Sequence, residues 1–251
     1  MRYAILSDIH SNLEALTAVL ETLAMKRVDR YLCLGDIVGY GADPGACLSR
    51  LQDCEAVMVA GNHELGCLGK LELDWFNEAA RAAVLWTRDR LGFSELDSLR
   101  RLPLTQTLDA FTLVHGTLKQ PARFEYLVEA GQAIDSLTKC RTPLCLVGHT
   151  HLPCFIEYDG AQRRLLRVLA SPAELGEVTF RPEAQTTRVL LNPGSVGQPR
   201  DGDPRAGAAI VDTEGGRVEF LRIAYDVATA QRKIHQAGLP AFLAERLAVG
   251  R

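Results

Sequence analysis

The stretch "RYAILSDIH", residues 2–10, places an apolar run directly before an aspartate and a histidine. A short apolar run bounded by polar residues is typical of a strand that is buried on both faces. Leucines at positions 13, 16, 20 and 23 then follow at helical spacing. We therefore predict a strand over 2–7 and a helix over 11–26, with Asp8 and His10 at the carboxyl end of the strand.

Apolar runs of strand length and helical patterns alternate through the first 150 residues. Ser11 and Glu14 have the spacing of a capping box, which predicts Ser11 as the N-cap of the first helix. A polar segment over 94–101 follows the last helical pattern of this region. We predict further strands over 30–35, 56–61 and 144–149, helices over 44–52 and 75–91, and a hairpin over 104–116 that ends at His115.

Beyond residue 150 the pattern changes to hairpins. One is predicted over 154–168 around Asp159-Gly160, a second over 208–223, and the last 25 residues have a helical pattern. Strand–helix units followed by hairpins favour an α/β chain with mixed sheets over one fully parallel sheet. Because 47% of the residues are hydrophobic and no linker is evident, we expect a single domain over residues 1–251.

Composition excludes several classes of protein. The net charge of −3 provides no basic excess to neutralise phosphates, so no stable nucleic-acid complex is expected. No run of eighteen apolar residues and no signal peptide is evident, so no membrane association is expected. Seven scattered cysteines without a CxxC pair are typical of a reducing compartment rather than of a disulfide framework. We expect a cytoplasmic location.

The predicted strands end in side chains that bind metals. Carboxyl ends of strands in open α/β sheets meet at one rim, and residues two apart on a strand point the same way. Each group alone can be explained as an ordinary turn or rim residue. Such residues would have to occur by coincidence at five strand ends, so a common metal site is the favoured interpretation. The groups are Asp8 and His10, Asp36, Asn62 and His63, His115, and His149 and His151.

These donors predict a site for two metal ions. Carboxylate, carboxamide and imidazole groups without thiolate suit divalent Mn first, with Fe, Co, Zn or Ni as alternatives. Eight groups are too many for one tetrahedral ion. They suit two ions that share a carboxylate, with one group left over for the substrate.

The order of these motifs resembles the calcineurin-like metallophosphoesterase superfamily. Asp-x-His, Gly-Asp, Gly-Asn-His-Glu, His and Gly-His-x-His occur in that order over residues 8–151. The later stretch "NPGSVGQPRDGDPRAG", residues 192–207, resembles the small bacterial and archaeal phosphodiesterase-like branch. The resemblance implies a four-layer αββα sandwich of two mixed β-sheets flanked by helices.

The resemblance also implies a mechanism and a role for each residue. Two divalent ions would activate a bridging hydroxide for in-line attack on phosphorus. His63 would contact the phosphoryl group and protonate the leaving oxygen, with Asn62 beside it. The first ion would be held by Asp8, His10, Asp36 and His151, and the second by Asp36, Asn62, His115 and His149, so that Asp36 bridges the two.

One departure from the family pattern narrows the activity. Protein phosphatases of the superfamily carry Gly-Asp-x-x-Asp-Arg-Gly, whereas Gly39 and Tyr40 stand at the last Asp and Arg in "GDIVGYG". This leaves His63 without its usual carboxylate partner. We therefore favour a phosphodiesterase, or a broad phosphoesterase of small phosphorylated molecules, nucleotides included. The alternatives are a phosphomonoesterase or nucleotidase, and a non-catalytic scaffold similar to the retromer subunit.

Two charged residues allow two interpretations each. Arg200 would bind substrate phosphate, since a guanidinium matches it, or would pair with Asp201 or Asp203 within its loop. Glu64 would orient a metal-binding histidine, or would be a helix-start charge.

Several aromatic residues are also open to two interpretations. One group would line a base-stacking pocket or pack in the core or rim. A second group would pack on the long helix or form the face of a homo-oligomer. The first group is Tyr40, Phe124 and Tyr126, and the second is Trp75, Phe76 and Trp86.

Overall fold

The computed structural model describes residues 1–171, 173–181 and 186–251. The strands are β1 (Arg2–Leu6), β2 (Arg30–Cys33), β3 (Val57–Met58), β4 (Thr105–Leu108), β5 (Phe111–Val114), β6 (Leu144–Leu146), β7 (Cys154–Asp159), β8 (Arg164–Leu169), β9 (Glu177–Thr179), β10 (Thr187–Asn192), β11 (Ala206–Asp212) and β12 (Arg217–Ile223). The helices are α1 (Leu13–Met25), α2 (Pro44–Asp53), α3 (Asn62–Cys67), α4 (Glu78–Arg90), α5 (Phe93–Arg100), α6 (Ala130–Lys139), α7 (Val227–Gln236) and α8 (Ala241–Glu245).

The strands form two mixed sheets of six strands. The first has the order β3-β2-β1-β11-β12-β9, with parallel pairs from β3 to β1 and antiparallel pairs beyond. The second has the order β4-β5-β6-β10-β7-β8, with parallel pairs from β5 to β10 and antiparallel pairs at both ends. The predicted mixed sheets and both predicted hairpins after residue 150 are confirmed.

Side-chain alternation along β1 shows how the layers stack. Tyr3 and Ile5 lie in the core between the two sheets, whereas Ala4 and Leu6 lie in the core under α1 and α2. The other face of the second sheet packs on α6. Helices therefore flank both sheets, which confirms the four-layer αββα sandwich. Helix α6 and strand β10 are not among the elements predicted from the sequence.

The N-cap of the first helix lies one residue later than predicted. Asn12 is the N-cap, and its Oδ1 accepts a hydrogen bond from the backbone N–H of Ala15 at 3.1 Å. Ser11 has a φ of +54° and its N–H donates to the carbonyl of Ile37, so it belongs to the preceding turn. The predicted capping box at Ser11 is wrong because a tertiary contact fixes the backbone there.

The predicted long helix over 75–91 also begins later. Asn77 caps α4, and Trp75 lies in a separate 3₁₀ turn over Leu73–Trp75. Trp75 therefore does not pack on the long helix, and 61% of its surface is exposed. The polar segment that follows α4 forms α5, which begins after Gly92.

The C-terminal helices lie against the site end of the fold. Ile234, Leu243 and Leu247 pack with Tyr40 and with Ala83 of α4. The predicted helical character of this region is confirmed.

All seven cysteines are free. No helix in the described ranges is long and apolar enough to cross a bilayer.

Candidate metal centre

The loops that carry the predicted ligands have an unusual backbone. Asp8 and His10 have φ values of +53° and +48°, and Asp36 has +51°. His149 and His151 have +67° and +61°. The left-handed region costs a non-glycine residue roughly 1–2 kcal/mol, and such strain collects at functional sites. The left-handed turns end the strands early and direct these side chains to one rim.

Backbone hydrogen bonds hold the first two of these turns together. The N–H of Asp8 donates to the carbonyl of Gly35 at 3.1 Å, and the N–H of His10 donates to the carbonyl of Asp36 at 2.9 Å. Because β1 and β2 are parallel neighbours, their ligand loops lie side by side. The parallel register therefore brings the two aspartates to one site.

The predicted ligands form two buried groups. Asp8, His10 and His151 lie together, with His151 Nε2 at 3.3 Å from Asp8 Oδ1 and 3.1 Å from His10 Nε2. His115 and His149 form the core of the second group, with 3.1 Å between His115 Nε2 and His149 Nδ1. The structure therefore brings these predicted ligands together in two groups, while Asn62 lies beside His149 in the lining of a cleft.

Asp36 lies between the two groups. Its Oδ2 is 3.2 Å from His115 Nε2 and 3.7 Å from His10 Nε2. Its Oδ1 accepts the backbone N–H of His63 at 3.0 Å, which fixes the orientation of the carboxylate. Gly61 allows this approach, because a Cβ there would lie 2.1 Å from Asp36 Oδ1. The position of Asp36 suits a ligand shared by two ions.

Unpaired polar atoms show that the residues fit metal ions. Asp8 Oδ1 and Asn62 Oδ1 are buried and have no hydrogen-bond partner among the described residues. An unsatisfied buried acceptor costs about 1–3 kcal/mol. Divalent ions of the Mn-to-Zn series accept carboxylate, amide and imidazole donors and would satisfy these atoms.

Backbone carbonyls orient three of the histidines. Each accepts a hydrogen bond from Nδ1, so in the neutral imidazole the proton lies there and the Nε2 lone pair faces the site. Main-chain carbonyls leave no signal in a sequence, so these partners could not be predicted. The bonds run from His10 to Val38 (3.2 Å), from His115 to Leu34 (2.7 Å) and from His151 to Gln198 (2.5 Å).

Burial sets the protonation of the imidazoles. It lowers the pKa of His149 to about 3, and those of His10 and His151 well below the ordinary value. Burial also opposes charge on His115, but the nearby Asp36 carboxylate outweighs it and raises the pKa of His115 to about 9. Neutral imidazoles are the form that binds metals, and an ion at this site would replace the proton of His115.

Glu64 supports the loop of Asp36 and does not contact a histidine. Its two oxygens accept the backbone N–H groups of Asp36, Ile37, Val38 and Gly61 at 2.7–3.1 Å. Burial raises the pKa of Glu64 to about 7, while the N–H donors favour the ionised form. The predicted histidine contact is wrong, and the helix-start interpretation is confirmed for the bond to Gly61.

We expect Glu64→Gln to destabilise the protein by about 2–4 kcal/mol, because an amide nitrogen would face two N–H donors that lose their acceptor. Metal affinity should fall about 10- to 100-fold as the Asp36 loop loses its support. Urea unfolding and metal titration measure both effects. Glu95→Gln is the matched control, since Glu95 caps α5 through one bond to Gly92 at the surface. Equal effects of the two substitutions would contradict this role.

His63 lies in an aromatic cage. Its ring centroid is 4.5 Å from that of Tyr40, 4.8 Å from that of His10 and 5.2 Å from that of Phe76. Nε2 faces Asp36 Oδ2 at 4.0 Å, and His63 also lies within ligand distance of the His10–Asp36 pair. Nδ1 has no hydrogen-bond partner among the described residues, as expected from the missing aspartate.

Gly39 occupies the position of the aspartate that would pair with His63 Nδ1. It has a φ of +89°, and a Cβ there would lie 2.1 Å from His63 Nδ1. We expect Gly39→Ala to lower kcat/KM at least about tenfold by displacing His63 and to cost about 1–2 kcal/mol of stability. Steady-state kinetics and thermal unfolding check this. Gly131→Ala is the control, because no atom lies within 4 Å of a Cβ there. Wild-type kinetics in Gly39→Ala would refute the contact.

Arg200 is connected to the metal site through Gln198, whose carbonyl accepts the hydrogen bond from His151 Nδ1. Its Nη2 donates to Gln198 Oε1 at 3.1 Å, and its Nε is buried without a hydrogen-bond partner among the described residues. Asp201 pairs with Arg222 and Asp203 with Arg205 instead. The interpretation of Arg200 as a partner of either aspartate is therefore wrong.

The charge of Arg200 reaches the buried ligands. It adds to burial in lowering the pKa values of His10, His63 and His151. A phosphate group between Arg200 and those imidazoles would meet a positive side chain with a free N–H.

The loop after β10 supports the first ligand. Ser195 Oγ donates to the carbonyl of Asp8 at 2.8 Å, and Ser7 Oγ donates to Asp8 Oδ2 at 2.6 Å. A Cβ at Gly197 would lie 1.8 Å from the carbonyl oxygen of Ile9. Glycine therefore permits the close approach of the two loops. The role of Ser7 was missed because a serine after an apolar run has many ordinary explanations.

Comparisons with known proteins show the family of this chain. The sequence model of the calcineurin-like phosphoesterase superfamily domain matches residues 1–216. The chain is 38% identical over 252 aligned residues to an uncharacterised protein of Methanocaldococcus jannaschii, with 99% of this chain and 98% of that protein covered.

Solved structures show the same fold. The crystal structure of a metallophosphoesterase from Sphaerobacter thermophilus is similar at a TM-score of 0.86 and 39% identity, and 100% of each chain is covered. A hypothetical protein from Pyrococcus horikoshii OT3 is similar at 0.78 and 20% identity, with 100% of this chain and 98% of that one covered. The chain therefore belongs to the calcineurin-like phosphoesterase superfamily, and it is a metal-dependent phosphoesterase.

Proposed function

We propose that this protein is a dinuclear phosphodiesterase of small phosphorylated molecules. The observation that carries the proposal is the pair of buried ligand groups with Asp36 between them. When bound, two divalent ions would supply an activated water and positive charge against the phosphoryl oxygens. Mn²⁺ is the proposed ion. Asp8, His10 and His151 would hold one ion, Asn62, His115 and His149 the other, and Asp36 both.

His63 is the proposed general acid. Its Nε2 points into the site at Asp36, and its cage fixes the ring. Burial lowers the pKa of His63 to about 4, so the imidazole is neutral without substrate. The negative charge of a bound phosphate ester favours the protonated form, because an opposite charge raises the pKa of an imidazole. His63 would then donate a proton to the leaving oxygen.

Arg200 is the proposed phosphate clamp. We expect Arg200→Ala to raise KM and the inhibition constant of inorganic phosphate about 10- to 150-fold, because a hydrogen bond between charged groups is lost. Bound metal should stay at the wild-type level. Arg205→Ala is the control in the same loop, since Arg205 already pairs with Asp203. Unchanged phosphate inhibition in Arg200→Ala would exclude the clamp.

A substrate pair and a metal count test the proposed function. The protein is stripped with a chelator, reloaded with Mn²⁺ and assayed with bis(p-nitrophenyl) phosphate and p-nitrophenyl phosphate. We expect two ions per chain, turnover only after reloading, and a higher kcat/KM for the diester. A higher value for the monoester would favour the nucleotidase alternative. Two ions without turnover of either ester would favour a scaffold.

One domain over residues 1–251 and a cytoplasmic location complete the proposal. The site draws Asp8 and Asp36 from loops of the first sheet and His115 and His149 from loops of the second. The free cysteines are typical of a reducing compartment.

A further inference from the structure

A cleft of about 250 Å³ opens beside the metal centre. Asn62 and His149, two proposed ligands of the second ion, are among the residues that line it. This volume lies near the lower limit of about 300 Å³ for small-molecule sites. A phosphate ester at the metals would therefore have room for part of its organic group in this cleft.

Two exposed aromatic side chains line the same cleft. Trp75 is 61% exposed and Tyr126 is 47% exposed. In the described part of the chain no other tryptophan or tyrosine is classed as exposed. The Tyr126 ring stacks on His149 at 4.0 Å with 24° between the planes, so its position is fixed relative to a proposed ligand. Large aromatic faces of this kind stack on planar rings.

The charged groups in the cleft favour a neutral occupant. Arg123 and Glu125 both line it, and Arg123 Nε lies 3.9 Å from Glu125 Oε1. Their charges cancel, so the cleft lacks the net positive charge that a second phosphate would need. Both groups remain available for hydrogen bonds to the polar edge of a ring.

The segment over 123–126, which lines the cleft, contains a left-handed turn at Phe124. Phe124 has a φ of +48°, and its buried ring lies 6.0 Å from that of His115. A left-handed residue costs free energy, and such residues cluster at binding sites. Phe124 also lines the cleft, beside Arg123, Glu125 and Tyr126, so this turn connects the cleft to the proposed metal ligand His115.

We infer that the substrate is a phosphate ester of a nucleoside, with its base stacked on Trp75 and Tyr126 while its phosphoryl group lies at the metal centre. This inference rests on the proposed function and names its substrate class. The net charge of −3 and the cleft's size match a mononucleotide rather than a polynucleotide. Of the aromatic residues open to two interpretations, the structure assigns Tyr126 to the stacking site and Tyr40 to the cage of His63.

Competition by two phosphates tests the base directly. Adenosine 5′-monophosphate and ribose 5-phosphate differ only by the base, and each competes against bis(p-nitrophenyl) phosphate on the Mn²⁺-loaded enzyme. We expect the nucleotide to compete about 5- to 150-fold more tightly in the wild type. Trp75→Ala should lose most of this preference while its constant for ribose 5-phosphate stays unchanged. Tyr126→Phe should keep the preference, because it keeps the ring.

Fluorescence gives a readout that does not depend on turnover. Stacking of adenine should quench Trp75, so the quenching by adenosine 5′-monophosphate should disappear in Trp75→Phe, which retains Trp86. Phe93→Ala is the control for loss of an exposed aromatic side chain, since Phe93 is 83% exposed on α5 and outside the cleft. It should leave both competition constants unchanged.

Two outcomes separate the inference from the proposed function. Turnover of the diester with equal constants for the two competitors, or with a preference that survives Trp75→Ala, would overturn the nucleoside assignment and leave the phosphodiesterase intact. Quenching of Trp75 without metal-dependent turnover would support base binding in the cleft and overturn the proposed function.

Discussion

Replacement of Asp36 by asparagine is expected to lower kcat/KM at least about 10³-fold. Asp36 is the proposed shared ligand, and its Oδ2 lies 3.7 Å from His10 Nε2 in one ligand group and 3.2 Å from His115 Nε2 in the other. An amide lacks the negative charge that offsets two cations, and a loss of about 4 kcal/mol in charge stabilisation is a factor of about 10³. Steady-state assays with bis(p-nitrophenyl) phosphate at saturating Mn²⁺ measure the effect.

Metal content should change with activity in this variant. Elemental analysis is expected to fall from two ions per chain to one or none. Asp53→Asn is the control, because Asp53 lies exposed at the end of α2, away from the ligands. Two retained ions with near wild-type turnover in Asp36→Asn would show that Asp36 is not the shared ligand.

Removal of the His63 imidazole should reduce turnover in a way that depends on the leaving group. For a methyl p-nitrophenyl diester the p-nitrophenolate leaves readily without a proton. His63→Ala should therefore lower kcat for this substrate very little and affect mainly its binding. For a dialkyl diester the leaving alkoxide needs a proton, and the loss should reach about 10²–10⁴-fold. The comparison of the two substrates isolates proton donation from metal binding.

Metal content tests the remaining alternative for His63. Because His63 lies within ligand distance of His10 and Asp36, a role as a ligand would lower the number of bound ions in His63→Ala. A general acid leaves that number at two. His235→Ala is the control, since His235 is exposed on α7. Equal losses on both diesters, or a lost ion, would contradict the proton-donor role.

Local sequence signals predicted most of the fold. The apolar runs marked β1 and β2 because strands buried on both faces need a continuous run, and the glycine turns marked the late hairpins. The errors occurred where contacts between distant segments overrode local preference. The N–H of Ser11 donates to the carbonyl of Ile37, so Ser11 lies in a turn and does not cap the helix. Helix α6 was missed although its pattern is amphipathic and it is as long as α2.

The candidate site shows the same division. Donor type and strand-end position predicted eight groups at one rim, because only the meeting of the strand ends had to be inferred. The carbonyls of Leu34, Val38 and Gln198 and the hydroxyl of Ser7 were not predictable. Their function depends on where the backbone passes and not on the identity of the residue.

The sequence alone determined the chemical character of this protein, since residue type and order define the donors and the strands that carry them. Tertiary structure alone decided that Asp36 stands between two ligand groups, that Glu64 supports a loop instead of a histidine, and that Trp75 and Tyr126 line one cleft. The physical reason is the separation of these residues along the chain. His10 and His151 meet at 3.1 Å across 141 positions of chain, and only the stacking of two sheets brings such residues together.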